Sequence, residues 1–300
     1  MLFTKMHGLG NSFVIFNQLD AAMEYQDYHQ LAQIVSNVNF GIGSDGMILI
    51  CSSNSADFRM RIFNEDGSEG ENCGNGLRCV AKLLVDHKYI TTSPFTIETL
   101  GGVMSVEVED DDEKQVQYVT VDMGEPALLK NRIPMQGDPC TIAMNEPHSF
   151  GGDIYRLTCV SMGNPHAIIF VDDVNEVPLD KIGPIIEHSD LFPERINAGF
   201  VHVKNSREMD YRVWERGSGI TMACGTGACA AVVAATLNDM LDRHLPITVH
   251  LPVGDLTVRW DENGHVWKRG KATYICQGEL MIDTNSISST IKEDDEKGGN

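Results

Sequence analysis

Two cysteines sit in matching surroundings. Cys73-Gly74-Asn75-Gly76 is echoed by Cys224-Gly225-Thr226-Gly227, 151 positions later. Each follows a Gly-rich polar stretch and precedes an apolar run at helical spacing, which predicts both thiols at the first turn of a helix. A thiol there faces the positive end of the helix dipole and unpaired backbone N–H groups, and both favour thiolate over thiol. The adjoining glycines let a ligand approach bare backbone, so the N–H groups of Gly74, Asn75, Gly225 and Thr226 form ready anion sites. A carboxylate held between two such helix ends would have its α-carbon flanked by two sulfurs. One sulfur removes a proton and the other returns it from the opposite face, which is the chemistry of moving a proton across a stereocentre.

The elements that must position these thiols are duplicated with them. Met60 to Phe63 and Tyr211 to Trp214 read as matched strands, delivering Asn64 and Glu215 nine positions before each cysteine. Asn11 opens the strand Phe13 to Phe16 and Asn164 the strand Ala167 to Val171. A turn carrying Asn197 precedes the strand Phe200 to Val203, and Pro94, Thr96 and Gly102 recur as Pro246, Thr248 and Gly254, each 152 positions on. Matches in order at a near-constant offset predict two copies of one αβ unit, with two cores meeting at a cleft. The expected helices lie over Leu77 to Val85 and Ala228 to Met240, with Cys79 and Cys229 as core cysteines inside them.

The totals narrow the function. The chain has 300 residues, 42% of them hydrophobic, and a formal net charge of −20. That charge repels phosphate backbones and anionic lipid, so no nucleic-acid or membrane partner is expected. No secretory pattern opens the chain, and Ala228 to Leu237 is too short to span a bilayer, so the expected location is cytoplasmic. The eight cysteines form no framework and are expected as free thiols. No spacing suggests a metal site. The residues from about 284 to 300 read as a disordered polar, acidic tail.

A Cys–His nucleophile with His166 or His7 as base is the rival chemistry, giving a hydrolase, but it leaves the second cysteine without a role. A non-catalytic amino-acid-binding protein is a third reading, and the paired cysteines argue against it.

Several segments resemble the diaminopimelate epimerase family: Met6-His-Gly-Leu-Gly-Asn, Arg61-Ile-Phe-Asn-Glu-Asp-Gly-Ser, Cys73-Gly-Asn-Gly-Leu-Arg-Cys, Ser161-Met-Gly-Asn-Pro-His, Asn197-Ala-Gly-Phe, Glu215-Arg-Gly-Ser-Gly and Ala223-Cys-Gly-Thr-Gly-Ala. The resemblance implies a cofactor-independent isomerase that interconverts LL- and meso-diaminopimelate on the route to lysine and peptidoglycan. It implies Cys73 and Cys224 as the two bases, His166 and Glu215 as groups that tune them, and the backbone at Gly74, Asn75, Gly225 and Thr226 as the cradle of the reacting carboxylate. Asn64, Asn164, Asn197 and Arg216 would clamp the distal amino-acid end, with Asn11 completing the pocket. It also implies a homodimer. The fold expected is α+β, with two pseudo-symmetric domains at 1–125 and 126–270, each a mainly antiparallel, barrel-like sheet around a central helix, the first rejoined by residues 271–283. Ser12 and Ile220 stand where the family commonly carries carboxylates, which leaves open a racemase of another amino acid, such as histidine or proline.

Overall fold

The computed structural model of the chain describes residues 1–20, 25, 27–71, 73–111 and 115–281; the expected tail at 284–300 lies outside them. Short runs of β-branched and aromatic residues, bounded by turn residues, make the strands. In the first half they run β1 (Leu2–Gly8), β2 (Asn11–Asn17), α1 (Tyr28–Ser36), β3 (Gly46–Cys51), β4 (Phe58–Asn64), β5 (Glu69–Gly70), α2 (Gly74–Asp86), β6 (Phe95–Thr99), β7 (Gly102–Asp110) and β8 (Val116–Asp122). After β9 (Glu146–Phe150) the same order returns: β10 (Asp153–Ser161), β11 (Pro165–Phe170), α3 (Leu179–Glu187), β12 (Asn197–Asn205), β13 (Glu208–Glu215), β14 (Gly219–Ile220) and α4 (Gly225–Leu237). Then come β15 (Ile247–Leu251), β16 (Gly254–Trp260), β17 (Val266–Gly270) and β18 (Thr273–Glu279).

Pairing repeats as faithfully as order. In the first half β1–β2, β3–β4, β6–β7 and β7–β8 are antiparallel, while β2–β3 and β4–β6 are parallel. In the second, β10–β11, β12–β13, β15–β16 and β16–β17 are antiparallel, while β11–β12 and β13–β15 are parallel. The outer neighbour of β1 is β18 and that of β10 is β9. Among the described residues the sheets of the two halves are joined by one antiparallel pair, β8 with β17. This is the mainly antiparallel, pseudo-symmetric α+β architecture expected from the duplication.

Each half wraps its sheet around one helix. The α4 sequence is apolar on all sides, so it suits a site surrounded by strands, and it packs against β10 to β13, β16 and β17. Helix α2 fills the same place among β1, β2, β4, β7 and β8. It carries Arg78 into the core, where Nη1 and Nε donate to the carbonyls of Gly74 and Lys271. A second core in each half lies on the opposite face, under α1 against β3 and β4, and under α3 against β12 and β13. Both inner helices begin earlier than their apolar runs suggest, at Gly74 and Gly225. The glycines that read as helix breakers form the first turn once a cysteine precedes them in extended geometry.

Candidate active site

Each inner helix is preceded by its cysteine. Cys73 is the N-cap of α2 with φ −145° and ψ 101°, and its Sγ accepts from Gly76 N–H at 3.4 Å. Cys224 is the N-cap of α4 with φ −116° and ψ 105°, its Sγ 3.6 Å from Thr226 Oγ1. Both line one cleft of about 620 Å³, together with Gly74, Asn75, Gly225 and Thr226. The duplicated helix starts therefore converge on a single space, with their free N–H groups and both sulfurs on its wall.

The hairpins before the helices hold this geometry. Arg61 grips Glu69 through two parallel bonds of 2.7 and 2.8 Å, tying β5 to β4 just ahead of Cys73. In the second half the buried Glu187 of α3 accepts from Trp214 Nε1 at 2.6 Å and from Gly217 N–H at 2.9 Å, which pins the turn carrying Arg216. Asn197 is buried, donating to Pro165 O at 2.7 Å and accepting from Arg216 N–H at 2.9 Å.

The two thiols differ electrostatically. Burial first, then the Glu215 carboxylate beside it, push the Cys224 thiol well above its ordinary range. Glu215 in turn accepts from the Thr221 hydroxyl. Cys73 is only half-buried, and its Sγ lies 3.9 Å from Asn11 Oδ1, which also accepts from Asn75 Nδ2 at 3.3 Å. Burial pushes Cys79 up to about 12 and Cys229 up to about 11, so both stay protonated inside their helices. His166 is fully buried, with Nε2 3.1 Å from Asn164 Oδ1 and 3.2 Å from Thr226 Oγ1. Burial, then the Arg216 charge, push it down to about 3, so the ring is neutral.

The cleft brings together Asn11, Cys73, Gly74, Asn75, Asn164, Glu215, Arg216, Cys224, Gly225 and Thr226. Three residues named from the sequence are not on its wall. His166 and Asn197 stand behind it, bonded to lining residues. Asn64, exposed at the end of β4, donates its amide to Ser68 Oγ at 2.9 Å. Arg216 is exposed, with Nη1 donating to Glu194 O at 3.0 Å.

The wall also holds residues that the sequence did not single out: Asp45, Glu71, Thr221 and Lys268. Asp45 accepts from the Ser12 N–H at 2.6 Å and from its hydroxyl at 3.0 Å. The position that lacks a carboxylate in the chain thus holds one in space, because β2 and β3 run side by side. The Gly41-Ile-Gly-Ser-Asp-Gly turn marks Asp45 only as a turn residue.

A family model for diaminopimelate epimerase matches residues 3–129 and 158–275. The chain is 52% identical over 276 residues to the diaminopimelate epimerase of Bacillus mycoides (strain KBAB4), covering 92% of this chain and 96% of that protein. The identity to the diaminopimelate epimerase of Bacillus cereus (strain ATCC 10987 / NRS 248) is the same. Among solved structures, a hydroxyproline epimerase from Agrobacterium vitis superposes with a TM-score of 0.67 at 13% identity, covering 93% of this chain and 90% of that one. A phenazine biosynthesis protein of the PhzF family from Bacillus anthracis gives 0.65 at 17% identity, covering 94% and 99%. At such identities the structures speak for the fold.

Proposed function

The chain belongs to the diaminopimelate epimerase family, and on that premise we propose that it interconverts LL- and meso-2,6-diaminopimelate by passing the α-proton between Cys73 and Cys224. The step belongs to lysine biosynthesis. The observation that carries the two-thiol reading is the convergence of two N-cap cysteines, one from each like-folded half, on one cleft.

Cys73, half-buried and accepting an N–H bond, takes the role of thiolate. Cys224, held protonated by burial and Glu215, is the acid that meets the opposite face of the α-carbon. In the reverse direction the roles exchange. The N–H groups of Gly74, Asn75, Gly225 and Thr226 receive the reacting carboxylate and the charge that builds on it as the proton leaves. Arg216 presents a guanidinium fork to the distal carboxylate. Asn11 and Asn164 meet the distal end, while Asp45 and Glu71 offer carboxylates to its ammonium group. Asn64 joins that clamp by exchanging its bond to Ser68 for one to substrate. His166 and Asn197 position Thr226 and Arg216.

The hydrolase reading fits less well. His166 is neutral and bonded to Thr226 rather than to a sulfur, and His7 Nδ1 accepts from Gly10 N–H. We also propose a homodimer, on the strength of the family resemblance, and a cytoplasmic location, on the sequence pattern, checked by light scattering and cell fractionation.

The test is incubation with LL-diaminopimelate in heavy water, following deuterium at the α-carbon, with lysine, histidine and proline in parallel. Exchange with diaminopimelate alone is expected, and lost in both Cys73→Ser and Cys224→Ser. Absence of exchange with diaminopimelate, or turnover surviving Cys224→Ser, would overturn the reading.

A further inference from the structure

One buried cation has no place in the reaction as described. Lys268, on β17, is 1% exposed, lines the cleft and has no carboxylate partner among the described residues. Its ammonium group occupies the space beside two glycines. A Cβ on Gly74 would stand 2.1 Å from Nζ, and one on Gly225 would stand 2.5 Å away. These are the residues directly bonded to Cys73 and Cys224, so a single Nζ touches the start of both inner helices.

Strand register explains how one side chain reaches both. Val106 pairs with Val121, and Val258 pairs with Lys268. Val258 follows Val106 by the same number of positions as Gly254 follows Gly102. Val121 and Lys268 are therefore counterparts in the two halves, and they are also cross-strand partners of each other. A residue paired with its own counterpart lies on the pseudo-twofold axis relating the halves. The duplication is broken there: one half supplies a valine and the other a lysine.

Resting on the two-thiol reading, we propose that Lys268 is the shared counter-charge of Cys73 and Cys224. A two-base device carries one negative charge, which passes from one sulfur to the other as the proton crosses the substrate. A cation on the axis offsets that charge in either location without favouring one direction. The reverse dependence also holds. An ammonium at the positive ends of two helix dipoles, away from any carboxylate, is unfavourable until an anion joins it. A thiolate is that anion. Around Nζ, α2 contributes Cys73 and Arg78 and α4 contributes Cys224 and Cys229. Burial lowers the proton affinity of the amine, as does Arg78 to a smaller extent, while the three sulfurs raise it. The flanking strand partners, Val121 and Val258, are apolar.

The test is Lys268→Met, which keeps the volume and removes the charge, with Lys268→Gln as a second variant. Alkylation of Cys73 by iodoacetamide at pH 7 should fall about tenfold, the low end of what a neighbouring charge does to a thiol. The acid limb of kcat/KM should move up by about one pH unit in both directions of epimerisation. Unchanged alkylation and unchanged limbs overturn the proposal, and a shift in one direction only overturns the shared role. A lowered melting temperature with unchanged alkylation assigns Lys268 to structure instead and overturns it too. Alkylation needs no substrate, so this test reads out even if the unaltered enzyme exchanges no proton on diaminopimelate, a result that would count against the functional reading alone.

Discussion

Acidification from pH 7 to pH 5 should weaken the folded state through one ring, that of His166. Nothing among the described residues is arranged to accept a proton there: the residue is fully buried, Nδ1 has no partner among them, and Nε2 faces Asn164 and Thr226. Burial, then Arg216, hold it down to about 3, whereas an unfolded-chain histidine titrates at about 6.5. The folded value lies below the unfolded one, so the stability from keeping the ring neutral is complete above pH ~6.5 and is lost as pH falls towards 3. The loss is about 1.4 kcal/mol per pH unit, or about 2 kcal/mol by pH 5. For a chain of this size, with an unfolding entropy of about 2.1 cal/mol/K per residue, that is a fall of about 3 °C in melting temperature. His265 works the other way, since its bond to Asp122 raises it and adds stability below its unfolded value, but it is partly exposed and its effect is screened. His166→Gln removes only the first effect. Urea midpoints of parent and variant at pH 7 and pH 5 should therefore show the parent losing about 2 kcal/mol more than the variant. Equal losses would refute the neutral-ring reading, and with it the reason for refusing His166 a part in acid–base chemistry.

Tyr211 is buried beneath α4 with a hydroxyl that finds no partner among the described residues, so Tyr211→Phe should raise stability by about 1–3 kcal/mol, read as a higher urea midpoint at unchanged slope. Gly183 has no room for a methyl group, since its Cβ would stand 2.4 Å from Trp214 Cγ; Gly183→Ala should cost about 1–3 kcal/mol and loosen the turn carrying Arg216, raising KM more than it lowers kcat. Mild oxidation that joins Cys73 to Cys224, confirmed by mass spectrometry, should abolish exchange, and dithiothreitol should restore it. Activity persisting in the crosslinked protein would show that the sulfurs do not face a common substrate.

What can be read from the chain is whatever the duplication states twice. Cys73 and Cys224, their glycines and the strands before them carry the same local signals at one offset, so the halves, the inner helices and the shared cleft are legible without coordinates. What stays hidden depends on which strands become neighbours. Asp45 reads as a turn residue, and only the parallel pairing of β2 with β3 brings its carboxylate to Ser12. Asn197, a clamp residue only by family resemblance, lies behind the cleft wall, where its amide donates to Pro165 O and accepts from the Arg216 N–H, a placement set by which strands and turns become neighbours. Lys268 is hidden by type. Val266, Lys268 and Gly270 alternate inward along β17, and a lysine at an inward position ordinarily argues against burial.

Identical thiols in identical settings would share a single proton with neither sulfur preferred. The structure departs from symmetry at the residue that precedes each cysteine by nine positions. In the second half it is Glu215, whose charge adds to burial in keeping the proton on Cys224. In the first it is Asn64, similar in size, uncharged and turned to Ser68. Exposure follows the same division, with Cys224 buried and Cys73 half-open to the cleft. Burial first, and then the carboxylate-for-amide difference, thus favour the proton on Cys224. Lys268 lies where the halves meet, against the first residue of both inner helices, where it offsets the single negative charge. Two unequal thiols and one cation against both helix starts give a site in which burial and Glu215 keep the proton on Cys224, and the cost of moving the charge is kept low in both directions.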